Sequence, residues 1–341
     1  MDVPSLTTSI AMATFQGAKH LREQLESIAR QSRRPTELVV SDDASQDGTP
    51  DILDAFARTA PFDVRVVRGH TRVGYVRNFE RALQMCTGDI VFFCDQDDVW
   101  FESKVAVVCD VMQREPSRHV VIHDRVVVDG SLRSTGTSSL SALRARGGKL
   151  TSYVAGSSTA LRRPLVDLVL PFPEPARVGH DAWVHQVAHG LGVVGVLEQP
   201  LMYYRRHGAN ASQSSVEPGH RSSRAQLLLG GLSRQLSDSL SGRRAELLRN
   251  QRDLQASLAF RLRSPAAQAL SADALSSASA ADLRASHISL RLDAYRYDRL
   301  ARTKALGRAW RSGAYSDVTS CTGAFVLDLL TPRSGRDQDG G

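Results

Sequence analysis

An α/β fold with a mostly parallel, Rossmann-like sheet flanked by helices, followed by an α-helical C-terminal extension, is what this sequence predicts from three observations. Short β-branched runs alternate with amphipathic helical segments through the first hundred residues, the pattern of a parallel sheet. Two acidic clusters, Asp42-Asp43 and Asp95-Gln96-Asp97-Asp98, each follow such a run directly, and sheets of this kind bind ligands outside their strand carboxyl ends. Beyond Gly219 the pattern changes to Leu, Arg, Ala and Ser at helical spacing.

The elements follow in order. Ser9 to Thr14 is a short apolar strand, and Leu21, Leu25, Ile28 and Ala29 then mark one face of a helix closed by Pro35. Glu37 to Ser41 is a second strand, and Ser45 to Thr49 leads into a helix ending near Phe56. Val64 to Val67 is a third strand. Gly74 to Cys86 turns from loop to helix with Phe79, Ala82 and Leu83 inward, and Ile90 to Cys94 is the fourth strand. Val105 to Met112 reads as helix and Val120 to Val128 as a long strand. Gly130 to Lys149 is rich in Ser, Gly and Arg without periodicity, which predicts a mobile loop. Order returns over Gly156 to Arg163. Asp181 to Leu191 is a helix, and Val193 to Glu198 and Met202 to Arg205 are two short strands. The helical remainder carries a Ser/Ala-rich linker around Ser271 to Ala281, and the tail is disordered.

At 341 residues the chain has room for one large α/β domain plus an extension. Its 42% hydrophobic and 23% charged composition is that of a globular protein, and no apolar run reaches the roughly 20 residues of a membrane-spanning helix. The first residues lack the basic and apolar regions of a secretory signal, so a cytoplasmic location is expected, with the inner face of the plasma membrane as a peripheral site. Cys86, Cys94, Cys109 and Cys321 form no C-x-x-C pair and read as small buried hydrophobes rather than a zinc or disulfide framework. The net charge of +7 is regional: Arg205 to Arg311 holds 19 Lys and Arg against 8 Asp and Glu. That segment lacks the interleaved aromatics of a nucleic-acid-binding module, so no nucleic-acid partner is expected.

Asp95, Asp97 and Asp98 would repel one another and lose hydration if packed inside, so they are expected at the strand end around a hard cation that holds phosphate oxygens. The plain alternative is an Asp-rich turn. Motif order favours the first reading: Ala13-Thr14-Phe15-Gln16-Gly17, Val40 to Thr49 with its Asp42-Asp43 pair, Arg77 to Ala82, the D-x-D-D box at Asp95, and Gly179-His180-Asp181-Ala182-Trp183. In these motifs, over roughly residues 5 to 215, the chain resembles the inverting glycosyltransferases of family 2, which have the GT-A nucleotide-sugar-binding fold. E-L-V-V-S-D-D, H-D-x-W and Y-R-R-H-G-x-N are most similar to bacterial rhamnosyltransferase-type polysaccharide enzymes. The processive Q-x-x-R-W signature is missing, so single addition is expected.

The resemblance implies roles. Asp97 binds a divalent ion, Mn2+ or Mg2+, that stabilises the charge developing on a diphosphate leaving group. Asp95 contacts the ribose and, through water, the ion, and Asp98 holds the local geometry, two roles that are interchangeable between them. Thr14, Gln16, Asp42, Asp43, Asn78 and Arg205 belong to nucleotide-sugar binding, with Asp42-Asp43 N-capping a helix as the alternative. Asp181 is the base that takes the acceptor hydroxyl proton, and a surface carboxylate at a helix start is its plain alternative. His180 and Trp183 belong to the acceptor side, although a lone Trp is as often a core anchor. His207 is a third metal ligand, suited to manganese, unless the Arg205-Arg206-His207 run is a solvated basic turn.

The function expected is metal-dependent transfer from dTDP-rhamnose or a UDP-sugar to a glycan or polyprenyl-linked acceptor in bacterial cell-surface polysaccharide synthesis. A non-catalytic nucleotide-sugar-binding protein and a nucleotidyltransferase are the alternatives. The expected division is a GT-A domain over 1–218 (nucleotide-sugar half about 5–115, acceptor half about 116–218), a helical region over 219–330 and a disordered tail over 331–341. The basic helical region is expected to rest on an anionic membrane surface or to form a homodimer.

Overall fold

The computed structural model describes residues 6–148, 150, 153, 155–174, 178–207, 243–297, 299–316 and 321–331. The tail expected to be disordered lies outside them beyond Thr331, as do Lys149 and the expected helical pattern over 219–242. The chain divides into two compact units, Met1–Gly219 with Ala269–Ser271, and His220–Gln268 with Ala272–Gly341.

The first unit carries the GT-A fold. Its strands β1 (Thr8–Thr14), β2 (Glu37–Asp42), β3 (Asp63–Arg68) and β4 (Ile90–Cys94) lie in the order β3-β2-β1-β4, all parallel. Helices α1 (Ala18–Ala29), α2 (Thr49–Ala57) and α3 (Tyr75–Met85) follow the first three. The register pairs Thr14 with Asp42 and Met12 with Cys94, so three strands deliver their following loops to one edge. Leu21, Leu25 and Ile28 of α1 pack with Ile10, Met12, Leu38, Val40, Ile90 and Phe92. Full burial of each such side chain contributes about 1.5–3 kcal/mol. Cys86, Cys94 and Cys109 are buried and free, as expected.

Past β4 the sheet becomes mixed. Next come β8 (Thr159–Arg162), antiparallel, then β6 (Val120–Val128), β9 (Val194–Arg205) and the two-residue β5 (Val99–Trp100), with β7 (Ser134–Ser138) on β6. Val99 pairs with Tyr203, so the acidic loop 95–98 is held between β4 on one side and β9 on the other. Helices α4 (Lys104–Arg114), α5 (Ser139–Ala145), α6 (Arg163–Val169) and α7 (His180–Leu191) complete the unit.

Three sequence expectations need correction. Residues 130–148 are not a mobile loop: they form β7 and α5, whose start is fixed by a reciprocal capping box between Ser138 and Ser141 and by the Leu140 amide donating to Asp124 Oδ1 at 2.9 Å. Both elements are too short and too exposed to leave a periodic signal. The two strands expected over 193–205 are one, β9. Pro200, which has no N–H to give the ladder, lies opposite Asp124 at a register shift and splits the pattern without ending the strand.

The third correction falls in the second unit, which comprises α8 (Arg243–Leu262), the start of α9 (Pro265–Leu270), α10 (Ala274–Asp293), α11 (Arg299–Arg311) and α12 (Cys321–Leu330). The Ser/Ala-rich linker is the first half of α10. Ala274, Ala278 and Ala281 are fully buried one turn apart, the small face by which a helix packs closely, and Arg284 bonds Gln255 of α8. Asp328 of α12 is also fully buried and accepts from Arg291, Tyr295 and Tyr315 at 2.7–2.8 Å and from Arg244. Burial alone would raise its carboxyl, but the two guanidiniums hold it below the usual carboxylate range. Among the described residues no helix is long and apolar enough to cross a membrane.

Candidate active site

The loops after β1, β2 and β4 open into a cleft of about 560 Å³, a volume suited to a small organic ligand. Its walls include Thr14, Asp43, Asn78, Asp95, Asp97 and Asp181. Thr14 and Asn78 are tied together, the Asn78 amide donating to the Thr14 carbonyl at 3.1 Å. Asp43 accepts the Val73 amide at 2.7 Å and the Gly74 amide at 2.8 Å, which draws the start of α3 against the cleft. Gly74 has φ 87°, a left-handed conformation that a side chain would strain.

Asp95 lies half-buried in the acidic loop. Desolvation first, then the neighbouring Asp98 and Asp97 charges, push its carboxyl well above the usual carboxylate range. Asp98 is fully buried and its Oδ1 accepts the Arg205 amide at 3.1 Å; burial and the Asp97 charge push it up to about 7. Asp97 meets His207, Oδ2 to Nε2, at 2.9 Å. The His207 ring stacks on His20 with centroids 5.0 Å apart. Among the described residues no three His, Cys, Asp or Glu side chains enclose a cation on their own. Asp97 and His207 are thus brought together, with Asp95 on the same cleft wall but outside any three-ligand cluster.

On the facing elements, Asp181 occupies the first turn of α7, and its Oδ1 accepts the Ala182 amide at 2.8 Å. His180 beside it is stacked on Phe79 at 3.9 Å and edge-on to Phe93 at 4.9 Å. Neither of its ring nitrogens has a hydrogen-bond partner among the described residues, and burial pushes the imidazole down to about 4. Gly156 makes this approach possible: a Cβ there would stand 3.0 Å from His180 Nε2 and 3.3 Å from the Asp181 Cβ.

Four expected site residues are spent elsewhere. Asp42 accepts from Thr14 and Ser45 and braces the turn after β2. Gln16, at φ 48°, uses its backbone and side chain to hold Ser45, Gln46 and Asp47. Arg205 is 2% exposed and donates to the Asp97 carbonyl at 2.8 Å, the Gly130 carbonyl at 2.8 Å and the Glu23 carboxylate, so it shapes the acidic loop rather than presenting a charge to a ligand. Trp183 is 1% exposed and bonds the Val169 carbonyl at 3.0 Å, the core-anchor alternative.

Other residues on the cleft walls escaped the sequence reading. Arg72 lies over the Phe15 ring at 4.0 Å, and Arg125 over the Tyr204 ring at 3.7 Å. For Arg125 there was a signal: His123-Asp124-Arg125 interrupts an otherwise β-branched strand. Arg72, Tyr75 and Gly156 carry no motif of their own.

The family model described as glycosyl transferase family 2 matches residues 9–184. An uncharacterized glycosyltransferase of Nostoc sp. is 26% identical over 218 residues, 61% of this chain and 67% of the relative. The dTDP-rhamnosyl transferase RfbG of Shigella flexneri is 30% identical over 105 residues, 30% of this chain and 36% of its own. Against these two relatives the chain therefore spans between about a third and two thirds of their lengths. The structure of S. aureus TarS 1-349 in complex with UDP superposes with a TM-score of 0.53 at 19% identity, covering 91% of this chain and 93% of that one.

Proposed function

The chain belongs to glycosyl transferase family 2, and from that premise we propose that it moves a sugar, with inversion and with help from a divalent ion, from a nucleoside-diphosphate donor to an acceptor hydroxyl. One observation supports this reading above others: Asp43, Asp95, Asp97 and Asp181 line a single cleft at the carboxyl edge of the sheet. Family membership removes the nucleotidyltransferase alternative, and the retained acids argue against a binding protein without catalysis.

The donor set fits a hard or borderline cation. Asp97 and His207 offer oxygen and nitrogen 2.9 Å apart, close to the spacing of two adjacent ligands each about 2.1 Å from a divalent ion. The crowding of negative charge at Asp95 is what a cation would relieve. Asp97 and His207 would hold the ion and Asp95 would border it, the rest of its shell coming from diphosphate and water. When bound, it supplies Lewis-acid stabilisation of the departing diphosphate.

The chain's own residues do the remainder. Asp43 and Thr14 bound the space for the base, and Arg72 on Phe15 gives that wall a flat cationic face. The Ala182 amide fixes Asp181 through Oδ1, leaving Oδ2 to take the acceptor proton as the new bond forms. Tyr75, half exposed on the cleft wall beside His180, offers a ring suited to a sugar acceptor. The likeness to a dTDP-rhamnosyl transferase favours dTDP-rhamnose, with a UDP-sugar as second candidate, and a cell-surface glycan or polyprenyl-linked acceptor. The test is a hydrolysis panel of dTDP-rhamnose, UDP-N-acetylglucosamine and GDP-mannose, with and without Mn2+, read as released nucleotide. Ion-dependent release from one donor is expected, and release from none would overturn the reading.

A specific feature favours a membrane-surface location. Helix α11 carries Lys304, Arg308 and Arg311, all exposed, and no acidic residue. Leu300 is 72% exposed and Trp310 is 41% exposed on it. Cations interleaved with exposed apolar groups suit an anionic lipid surface.

A further inference from the structure

Lys104, the first residue of α4, is fully buried. A cation at a helix N-terminus is opposed by the helix dipole, and a buried ammonium without a carboxylate partner is costly. Among the described residues no carboxylate lies within hydrogen-bond reach of it. Its ammonium donates to the Ser157 carbonyl at 2.9 Å, approaches Met202 Sδ at 3.7 Å and sits 3.6 Å over the Trp100 ring. Desolvation pushes it down to about 7, while Cys94, Asp98 and Asp95 act on it through space in the opposite direction. A residue so disfavoured where it stands has its use in what it holds.

What it holds is the short 3₁₀ turn Gly156–Ser158. Gly156 of that turn backs directly onto His180 and Asp181. Ser157 Oγ accepts from Arg125 Nη1 at 3.3 Å, and Arg125 stands on the cleft wall against Tyr204. Lys104 itself follows the acidic loop by only six positions, and Val99 and Trp100 between them are fixed to β9. The ammonium therefore connects the segment that presents Asp95 and Asp97 to the turn that backs Asp181.

We infer that Lys104 is a positioning residue: its bond to the Ser157 carbonyl sets where Asp181 stands relative to the acidic loop, without Lys104 touching either reactant. The inference rests on Asp181 being the base of the glycosyl transfer reading. Such a role acts on turnover, not on donor capture, because the nucleotide walls at Thr14, Asp43 and Asn78 are built from other elements.

The experiment uses the full chain with dTDP-rhamnose, UDP-N-acetylglucosamine and GDP-mannose as donors and UDP with Mn2+ as binding probe. Lys104→Met keeps the stem and removes the donor group; Lys104→Gln keeps an N–H donor without the charge. For Lys104→Met, kcat for donor hydrolysis is expected to fall about tenfold or more, the size of a misplaced catalytic group, with KM and the UDP dissociation constant within about twofold of wild type. Lys104→Gln is expected to recover part of that loss. A parallel fall in UDP affinity, an unchanged kcat in Lys104→Met, or Lys104→Gln no better than Lys104→Met would overturn the inference. If Lys104→Met fails to fold by circular dichroism, Lys104→Gln with a lowered kcat and intact UDP binding supports it, and with wild-type kcat overturns it. Failure of the transfer reading would show separately, as wild-type protein that releases nucleotide from none of the three donors.

Discussion

Replacing Asp97 by Asn keeps its size and removes the charge beside His207. Metal-dependent UDP binding is expected to weaken at least about tenfold and turnover to be lost, since in the proposed transfer the ion would stabilise the leaving diphosphate; isothermal titration with and without Mn2+ checks this. Asp181→Asn should leave that titration unchanged and lower kcat by about 10²–10⁴-fold, the usual worth of a general base. Near-normal turnover would remove Asp181 from the mechanism. One pH effect on stability belongs to buried histidines, of which His123, His180 and His185 are the deepest. His180 and His185 are buried and pushed down to about 4, first by desolvation. At these two rings the unfolded chain takes up protons near 6.5 and the folded chain does not, so their contribution to stability is full above 6.5 and is lost as pH falls from 6.5 towards 4, while the raised Asp98 carboxyl acts in the opposite direction below about 7. The loss is at most about 3 kcal/mol for each ring. The wild-type denaturant midpoint should therefore fall relative to that of His185→Gln as pH is lowered across that window.

Arg205 shows what one side chain does for an element. It joins the end of β9 to the acidic loop, to Gly130 after β6 and to Glu23 of α1. Arg205→Lys keeps the charge but has no planar fork, leaving the half-buried carbonyls of Asp97 and Gly130 short of a donor, at up to about 1–3 kcal/mol in all. A lower Tm together with weaker UDP binding is expected, and a variant that loses neither would show that β9 alone fixes the loop. The same residue marks the limit of what the sequence discloses. Strands β1 to β4 and the two acidic clusters are legible because alternation and strand-end position are local properties. Asp95, Asp97 and Asp181 could be singled out because their motifs are contiguous. Arg205 looked like a phosphate ligand because its partners lie 75 to 182 positions away. Asp42 and Asp43 are adjacent and chemically identical, yet only Asp43 lines the cleft, because its neighbour is turned to Ser45 by the register of β1 and β2. Lys104 opens an apolar helix like many surface lysines, and only the packing of Trp100 and Ser157 around it reveals a different role.

For the whole molecule, the helical unit's surface is the testable feature. Lys304, Arg308 and Arg311 make no ion pair among the described residues, and each cation near an anionic surface contributes about 1 kcal/mol. Reversing all three to Glu should lower sedimentation with phosphatidylglycerol vesicles at least about a hundredfold in affinity, leaving donor hydrolysis in solution intact. Unchanged sedimentation, or a concentration-dependent dimer that the same changes dissolve, would replace lipid by a second copy as the partner. Chain order carries a last consequence. The backbone amide and guanidinium of Arg205 secure Asp98 and Asp97 from 107 and 108 positions downstream. At the roughly 5–20 residues per second of protein synthesis, the acidic loop leaves the ribosome several seconds or more before its anchor. A nascent chain thus carries strands β1 to β4 with an unsecured acidic loop, which is anchored only once the end of β9 has been made.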